Sequence, residues 1–223
     1  VALTAEIPAS IASVLDPQRT ALSPQDAQTA VFYSISNCHK GLAGVSFGSF
    51  LIKQVAQDLK DAVPNLRTFV TLSPVPGFAG WLAALPPATI DRLEAPEKRA
   101  IEIVGEPGWA GDPAKAEAAR PGLLSLGARY FLRARRPRGG PVDPVARFHL
   151  GNGAMLNRIM HLGDVSPGGL AQAHGLMVNY LYDLPRVEQR HEAYAADGDI
   201  AASRAVTSLL PKRGEVDSMK DVA

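Results

Sequence analysis

Apolar residues fall in short runs separated by polar, Pro- and Gly-containing breaks. Val1-Ala-Leu-Thr4 predicts a short strand, and Ile7–Leu15 a weak helix closed by Asp16-Pro17. Residues 17–28, rich in Pro, Ser and Gln, predict a loop. Val31–Ser36 alternates apolar and polar positions among β-forming residues, the pattern of a strand. A Gly-containing turn, Asn37–Gly48, follows. From Ser49 to Leu59 the apolar Phe50, Leu51, Ile52, Val55 and Leu59 sit mostly at helical spacing, predicting an amphipathic helix that ends at Pro64-Asn65. Leu66–Leu72 predicts a strand broken by SPVPG, which puts Ser73 at its end. Residues 79–135 predict mostly helix with a polar loop at 105–113. Arg133–Gly140 reads as an exposed basic loop. From Asn152 onward, Ala154, Leu156, Ile159 and Met160 predict a helix. Asp164–Gly175 predicts a turn and a short helix, Leu176–Leu184 a strand, and 186–210 a polar terminal helix broken near Gly198. A strand–turn–helix–strand unit within such a chain gives an α/β (α+β) fold class, a mixed sheet flanked by helices.

Composition bounds the function more than it names it. The 223 residues fit one domain, expected over 1–210, with a charged tail at 211–223. Hydrophobic residues make up 46% and charged residues 20%, enough for a real core. Lys+Arg at 23 against Asp+Glu at 22 leaves a net charge of +1, so nothing draws the chain toward nucleic acid or acidic membranes. No apolar run is long enough for a membrane span, and the first residues lack the pattern of a secretory signal. A start without Met, directly on a strand-like tetrapeptide, leads to the expectation of a fragment. A single cysteine, Cys38, excludes an internal disulfide framework and reads as a small buried residue or incidental thiol. His39, His161, His174 and His191 have no metal-ligand spacing, so no metal is expected.

The segment Gly44-Val-Ser-Phe-Gly48-Ser49 stands between a strand and a helix. Glycines there let backbone approach an anion, and the first helical turn offers unpaired N–H groups and a positive dipole end. No Lys-Ser/Thr follows the second glycine, and the dinucleotide pattern G-x-G-x-x-G is absent. A plain helix N-terminus fits the same spacing.

The wider text, KGLAGVSFGSFLIKQV, resembles the coenzyme A turn of the GCN5-related acetyltransferases, Arg/Gln-x-x-Gly-x-Gly/Ala. Gly48 takes the last position, while Ala43 and Ser46 depart from the Arg/Gln and middle Gly positions. Four blocks in order, FYSISNCHKGLAGVSFGSFLIKQV, FVTLSPVPGFAGWL, DPVARFHLGNGAMLNRI and GLMVNYLYDL, resemble the malonyl-CoA decarboxylase family. That resemblance implies an acetyltransferase-like catalytic domain, here without its first strands and without the all-helical oligomerisation domain that precedes it. It implies a catalytic serine at Ser73, a catalytic histidine at His149 and a tyrosine near the acyl group at Tyr182. It implies substrate contacts at Ala43, Gly44, Val45, Ser46, Phe47, Gly48, Ser49 and Asn152.

The implied reaction turns malonyl-CoA into acetyl-CoA and carbon dioxide. Losing the carboxylate leaves charge that the thioester itself delocalises as an enolate, so no cofactor is expected beyond coenzyme A as part of the substrate. The protein must hold the acyl chain, stabilise the oxyanion and deliver a proton to carbon, a step suited to a histidine titrating near neutral pH. Expected partners are malonyl-CoA and acetyl-CoA, not nucleic acid or membrane, with homo-oligomers forming through the absent helical domain. The expected location is cytoplasmic, with an organelle as the alternative. Without the resemblance, Ser73 reads as a turn residue, His149 as a surface or structural histidine, Tyr182 as a strand tyrosine and the Arg133–Arg138 cluster as a solvated loop rather than a 3′-phosphate contact. Two other functions use the same turn: an acyl-CoA-dependent acyltransferase and a non-catalytic acyl-CoA-binding fragment.

Overall fold

The structure, a computed structural model, describes residues 1–33, 35, 47–137 and 139–211, without the side chains of residues 47–50. The expected turn residues Ala43, Gly44, Val45 and Ser46, the side chains of Phe47 and Ser49, Cys38, His39 and nearly all of the tail lie outside the described residues.

The chain opens with β1 (Ala2–Thr4), α1 (Ala12–Leu15), β2 (Thr29–Tyr33), α2 (Phe47–Ala62) and β3 (Thr68–Pro74). A helical middle follows: α3 (Phe78–Ala83), α4 (Pro87–Ile90), α5 (Ala95–Val104), α6 (Pro113–Leu132) and α7 (Pro144–Gly151). Then come β4 (Met155–Met160), α8 (Pro167–Ala173), β5 (Met177–Leu181), α9 (Val187–Asp197) and α10 (Arg204–Thr207). The strands form one mixed sheet in the order β1-β2-β3-β5-β4. β2 and β3 are parallel, with α2 in the connection between them; the other neighbours are antiparallel. This is the expected α/β class, a mixed sheet with flanking helices.

β3 lies in the middle of the sheet, and Phe69 through Ser73 are all buried. Its alternation divides two cores. Phe69 faces the larger one, with Phe32, Phe78, Trp81, Leu123, Leu126, Tyr130, Tyr180 and Tyr182. Val70 and Leu72 face a smaller one with Ala2, Val14, Val31, Met160 and Met177, against which Ile7 and Ile11 pack. Thr71 and Ser73 share the parity of Phe69, so they point toward the side of the sheet that the helices cover.

Three expectations change. The helix over 7–15 is reduced to Ala12–Leu15, because Pro8 and the Ser10 turn, whose carbonyl accepts the Ser13 hydroxyl, keep the first half non-helical. β3 continues past Leu72: Ser73 pairs with Val178 and Pro74 with Met177, and Pro74, which has no N–H, closes the strand. Ser73 is therefore inside β3 rather than beyond it. Finally, no helix starts at Asn152. α7 ends at Gly151, Gly153 turns the chain at φ +76°, and Met155–Met160 pairs with β5. The register shifts between Leu156 and Arg158, and that irregularity adds a residue to the strand's alternation. It turns Leu156 and Ile159 toward the same core, an i, i+3 spacing that a helix face shares, while Met160 faces the smaller core.

Candidate active site

Two elements and one linker residue bring the expected catalytic residues together. β3 supplies Ser73. α7 supplies His149 in its last turn, and Tyr182 follows the end of β5. α7 is well specified by its sequence. Asp143 caps it, accepting the Ala146 N–H at 2.8 Å, and Pro144 opens its first turn. At its end the His149 carbonyl accepts the N–H groups of Asn152 and Ala154, which fixes where the ring projects.

The Ser73 Oγ lies 3.4 Å from His149 Nε2, and His149 Nδ1 lies 2.8 Å from the Tyr182 hydroxyl. The ring stacks on Tyr180 at a centroid distance of 4.5 Å and meets Tyr182 edge-on at 6.0 Å. Ser73, His149, Asn152 and Tyr182 are all buried. Asn152 lies near the Tyr182 hydroxyl, and among the described residues its Nδ2 has no hydrogen-bond partner. A buried donor without a partner is an unusual feature, consistent with a site that receives a polar ligand.

Burial sets the electrostatics. Desolvation lowers the His149 pKa from 6.5 to about 3, so the free imidazole is neutral at physiological pH. That departs from the expectation of a histidine titrating near neutrality. Desolvation likewise pushes the Tyr182 phenol far up, so it keeps its proton. The site is thus a chain of neutral groups.

Two residues that the sequence did not single out complete it. Ser73 Oγ donates to Thr71 Oγ1 at 2.8 Å, and the backbone N–H of Tyr180 donates to the same oxygen at 3.2 Å. The alternation of FVTLSP, which puts residues 71 and 73 on one face, was the available signal for Thr71. NYLY carried the same signal for Tyr180. Other candidates lie elsewhere. Arg135 sits partly buried and donates to the carbonyls of Leu132 and Ala134, which ties the end of α6 rather than presenting a free cation. His161 packs near Trp109, His174 near Phe78, and His191 bonds the Gly151 carbonyl.

The family model for the malonyl-CoA decarboxylase C-terminal domain matches residues 1–220. The chain belongs to the malonyl-CoA decarboxylase family. The mitochondrial malonyl-CoA decarboxylase of Anser anser anser is 36% identical over 232 residues, which cover 94% of this chain and 46% of that protein. Crystal structures of malonyl-CoA decarboxylases from Rhodopseudomonas palustris and Agrobacterium vitis are each 53% identical. They superpose with TM-scores of 0.86 and 0.88, over 94% of this chain and 48% and 52% of theirs. The chain spans about half the length of these relatives. Among the described residues no helix is long and apolar enough to cross a membrane.

Proposed function

We propose that the protein decarboxylates malonyl-CoA to acetyl-CoA and carbon dioxide, with Ser73, His149 and Tyr182 as the reacting-site groups. The observation that carries this reading is the buried hydroxyl–imidazole–phenol chain, assembled from residues 73, 149 and 182 in a member of this family. The coenzyme A part of the substrate is assigned to Ala43–Ser49, and its thioester to the space beside Ser73 and Asn152.

The C–C bond to the carboxylate breaks, and its electron pair moves into the thioester carbonyl as carbon dioxide leaves. The enolate oxygen needs donors, and the candidates are the unpartnered Asn152 Nδ2 and the Ser73 hydroxyl, which must turn from Thr71 toward the substrate to serve. One such donor is worth about 3–4 kcal/mol in other enzymes. His149 Nε2 then gives its proton to the α-carbon, forming the C–H bond of acetyl-CoA, and recovers a proton from solvent. An enolate is basic enough to take a proton from a neutral imidazole, so the low pKa of His149 does not bar the step. The thioester is the electron sink throughout, and the reading needs no further cofactor. It gives no role to nucleic acid or membrane. It puts any homo-oligomer contact in a helical domain outside this chain, and the setting in the cytoplasm.

The test is the protein at its natural length incubated with malonyl-CoA, following carbon dioxide and acetyl-CoA. Carbon dioxide release without an acceptor is expected, and Ser73→Ala and His149→Ala should each lower kcat about 10²–10³-fold with coenzyme A affinity retained. Acetyl transfer only in the presence of an amine would replace this reading with an acyltransferase. Thermal stabilisation by coenzyme A without turnover would leave an acyl-CoA-binding protein.

A further inference from the structure

Ser73 Oγ and His149 Nε2 are 3.4 Å apart, longer than an ordinary hydrogen bond. A contact of that length does not hold its own partners in place. Their spacing is imposed by the elements that carry them, β3 for Ser73 and α7 for His149. One buried side chain of α6, Tyr130, touches the supports of both.

On the α7 side the Tyr130 hydroxyl donates to Asp143 Oδ2 at 3.1 Å. The other oxygen of that fully buried carboxylate accepts the Ala146 N–H at 2.8 Å, about one helical turn before His149. Arg147 Nη1 fastens the segment ahead of the cap, donating to the carbonyls of Pro141 and Val142 at 2.9 and 2.8 Å. On the β3 side the same hydroxyl rests on Gly77, in the turn between β3 and α3. A methyl group on Gly77 would lie 2.5 Å from the phenol oxygen and 3.7 Å from the carbon that bears it. Gly77 has φ −100° and ψ −6°, a conformation open to other residues in turns. The glycine therefore makes room for the oxygen rather than for a strained backbone. The ring has little freedom to retreat, with Phe78, Trp81 and Phe131 around it at centroid distances of 5.6, 5.2 and 5.3 Å.

We infer that Tyr130 is a positioning residue: its hydroxyl, held between Gly77 and Asp143, keeps the turn after β3 and the cap of α7 at a fixed separation, and so sets the distance from Ser73 to the His149 ring. It acts through these two supports and not on the substrate. Its effect on rate rests on the decarboxylase reading; the spacing does not. Removing the oxygen leaves Asp143 Oδ2 without this donor and opens a gap against Gly77, so the N-terminal end of α7 settles differently on the sheet. A misplacement of about 1 Å can cost about 100-fold in rate, so a slight tilt of α7 is readable in kcat.

The experiment uses the protein at its natural length. Tyr130→Phe is expected to lower kcat for malonyl-CoA about 10-fold, with KM and coenzyme A affinity held within about twofold. Its crystal structure is expected to show the Ser73 Oγ–His149 Nε2 separation altered by about 0.5 Å or more relative to a wild-type crystal. Gly77→Ala pushes a methyl against the hydroxyl and should lower kcat about 10- to 100-fold. With the hydroxyl gone the methyl meets only the ring carbon at ordinary contact distance. Adding Gly77→Ala to Tyr130→Phe should therefore cost less than about a further twofold. A folded Tyr130→Phe protein with wild-type kcat or an unchanged separation overturns the inference. So does a double variant in which the two losses multiply, or a Gly77→Ala change that prevents folding with and without the hydroxyl. A Gly77→Ala protein that folds only once the hydroxyl is removed supports it. If the wild type releases no carbon dioxide, the proposed function falls, and the crystallographic separation alone decides the inference.

Discussion

His149 is held by rings rather than by charges: Tyr180 against its face, Tyr182 and Phe148 edge-on, and, among the described residues, no carboxylate bonded to either nitrogen. Such an environment favours the neutral form, and linkage turns that preference into a dependence of stability on pH. Unfolded, the group titrates near 6.5; folded, near 3. Between those values the unfolded chain binds a proton that the native one refuses. The contribution is therefore complete above about pH 6.5 and is lost as the pH falls toward 3, with a slope of up to about 1.4 kcal/mol per pH unit. His161 and His174, whose pKa values burial also lowers, add in the same direction. Urea unfolding at pH 7, 5.5 and 4.5 should show a shallower acid loss in His149→Gln than in the wild type. Identical slopes would mean that the imidazole is hydrated. On the proposed function, a malonyl carboxylate held beside His149 would raise its pKa, so substrate should protect the wild type more at pH 5 than at pH 7. His149 and Ser73 were legible in the sequence only through the text around them, since a serine before proline and a lone histidine have ordinary structural uses. Thr71 was legible only through strand parity: the alternation of FVTLSP puts it on the face of Ser73, and nothing else around it marks it.

The α7–β4 corner carries His149 and Asn152, and a glycine makes it possible. Gly153 has φ +76°, and a methyl group there would collide with the Val187 carbonyl at the start of α9. Gly153→Ala meets both left-handed strain and a backbone clash, and is expected to lose about 2–4 kcal/mol. Gly108 is a control with the same sign of φ, +73°, but open space around it, so Gly108→Ala should lose only about 1 kcal/mol. Denaturant midpoints compare the two; equal losses would show that the Val187 contact gives way easily. The same corner explains the main misreading of the sequence. The two-residue period of a strand assumes an unbroken ladder, and the irregularity after Leu156 converts it into something near a helical period. Where the ladder is regular, as between β2 and β3, the pattern located both strands with starts about two residues off: Val31 expected against Thr29, and Leu66 against Thr68. Pro and Gly marked the helix ends as expected, with Gly198 at φ +70° closing α9.

The site draws on residues spread over more than a hundred positions, so its geometry depends on how the helical middle packs on the sheet. α5 and α6 form the largest part of that layer. They approach closely at Gly122, where a side chain would strike the Pro96 carbonyl. They are also joined by a buried ion pair: Arg129 Nε and Nη2 reach Glu97 Oε1 and Oε2 at 2.6 and 3.2 Å. The Ser125 hydroxyl donates to Glu97 Oε1 at 2.6 Å, and Glu97 Oε2 accepts the N–H of Glu94 at 3.0 Å. Both charges are nearly inaccessible, with side-chain exposures of 1% for Glu97 and 5% for Arg129. In such a place the pair's attraction mostly offsets the desolvation of its members, and the penalty appears when one member is removed alone. Glu97→Leu should therefore lose about 3–5 kcal/mol, because a guanidinium is left buried without its carboxylate. Arg129→Met should lose a similar amount. Glu97→Leu with Arg129→Met removes both charges, and its loss should fall well short of the sum of the single losses. A double-mutant cycle from denaturant unfolding measures the difference. If the two single losses simply add, each side chain acts through packing alone. No hydrogen bond joins the pair to Ser73, His149 or Tyr182 among the described residues, so the double variant, once folded, should keep the wild-type kcat. A double variant that is stable but inactive would mean that the ion pair also sets the orientation of α7.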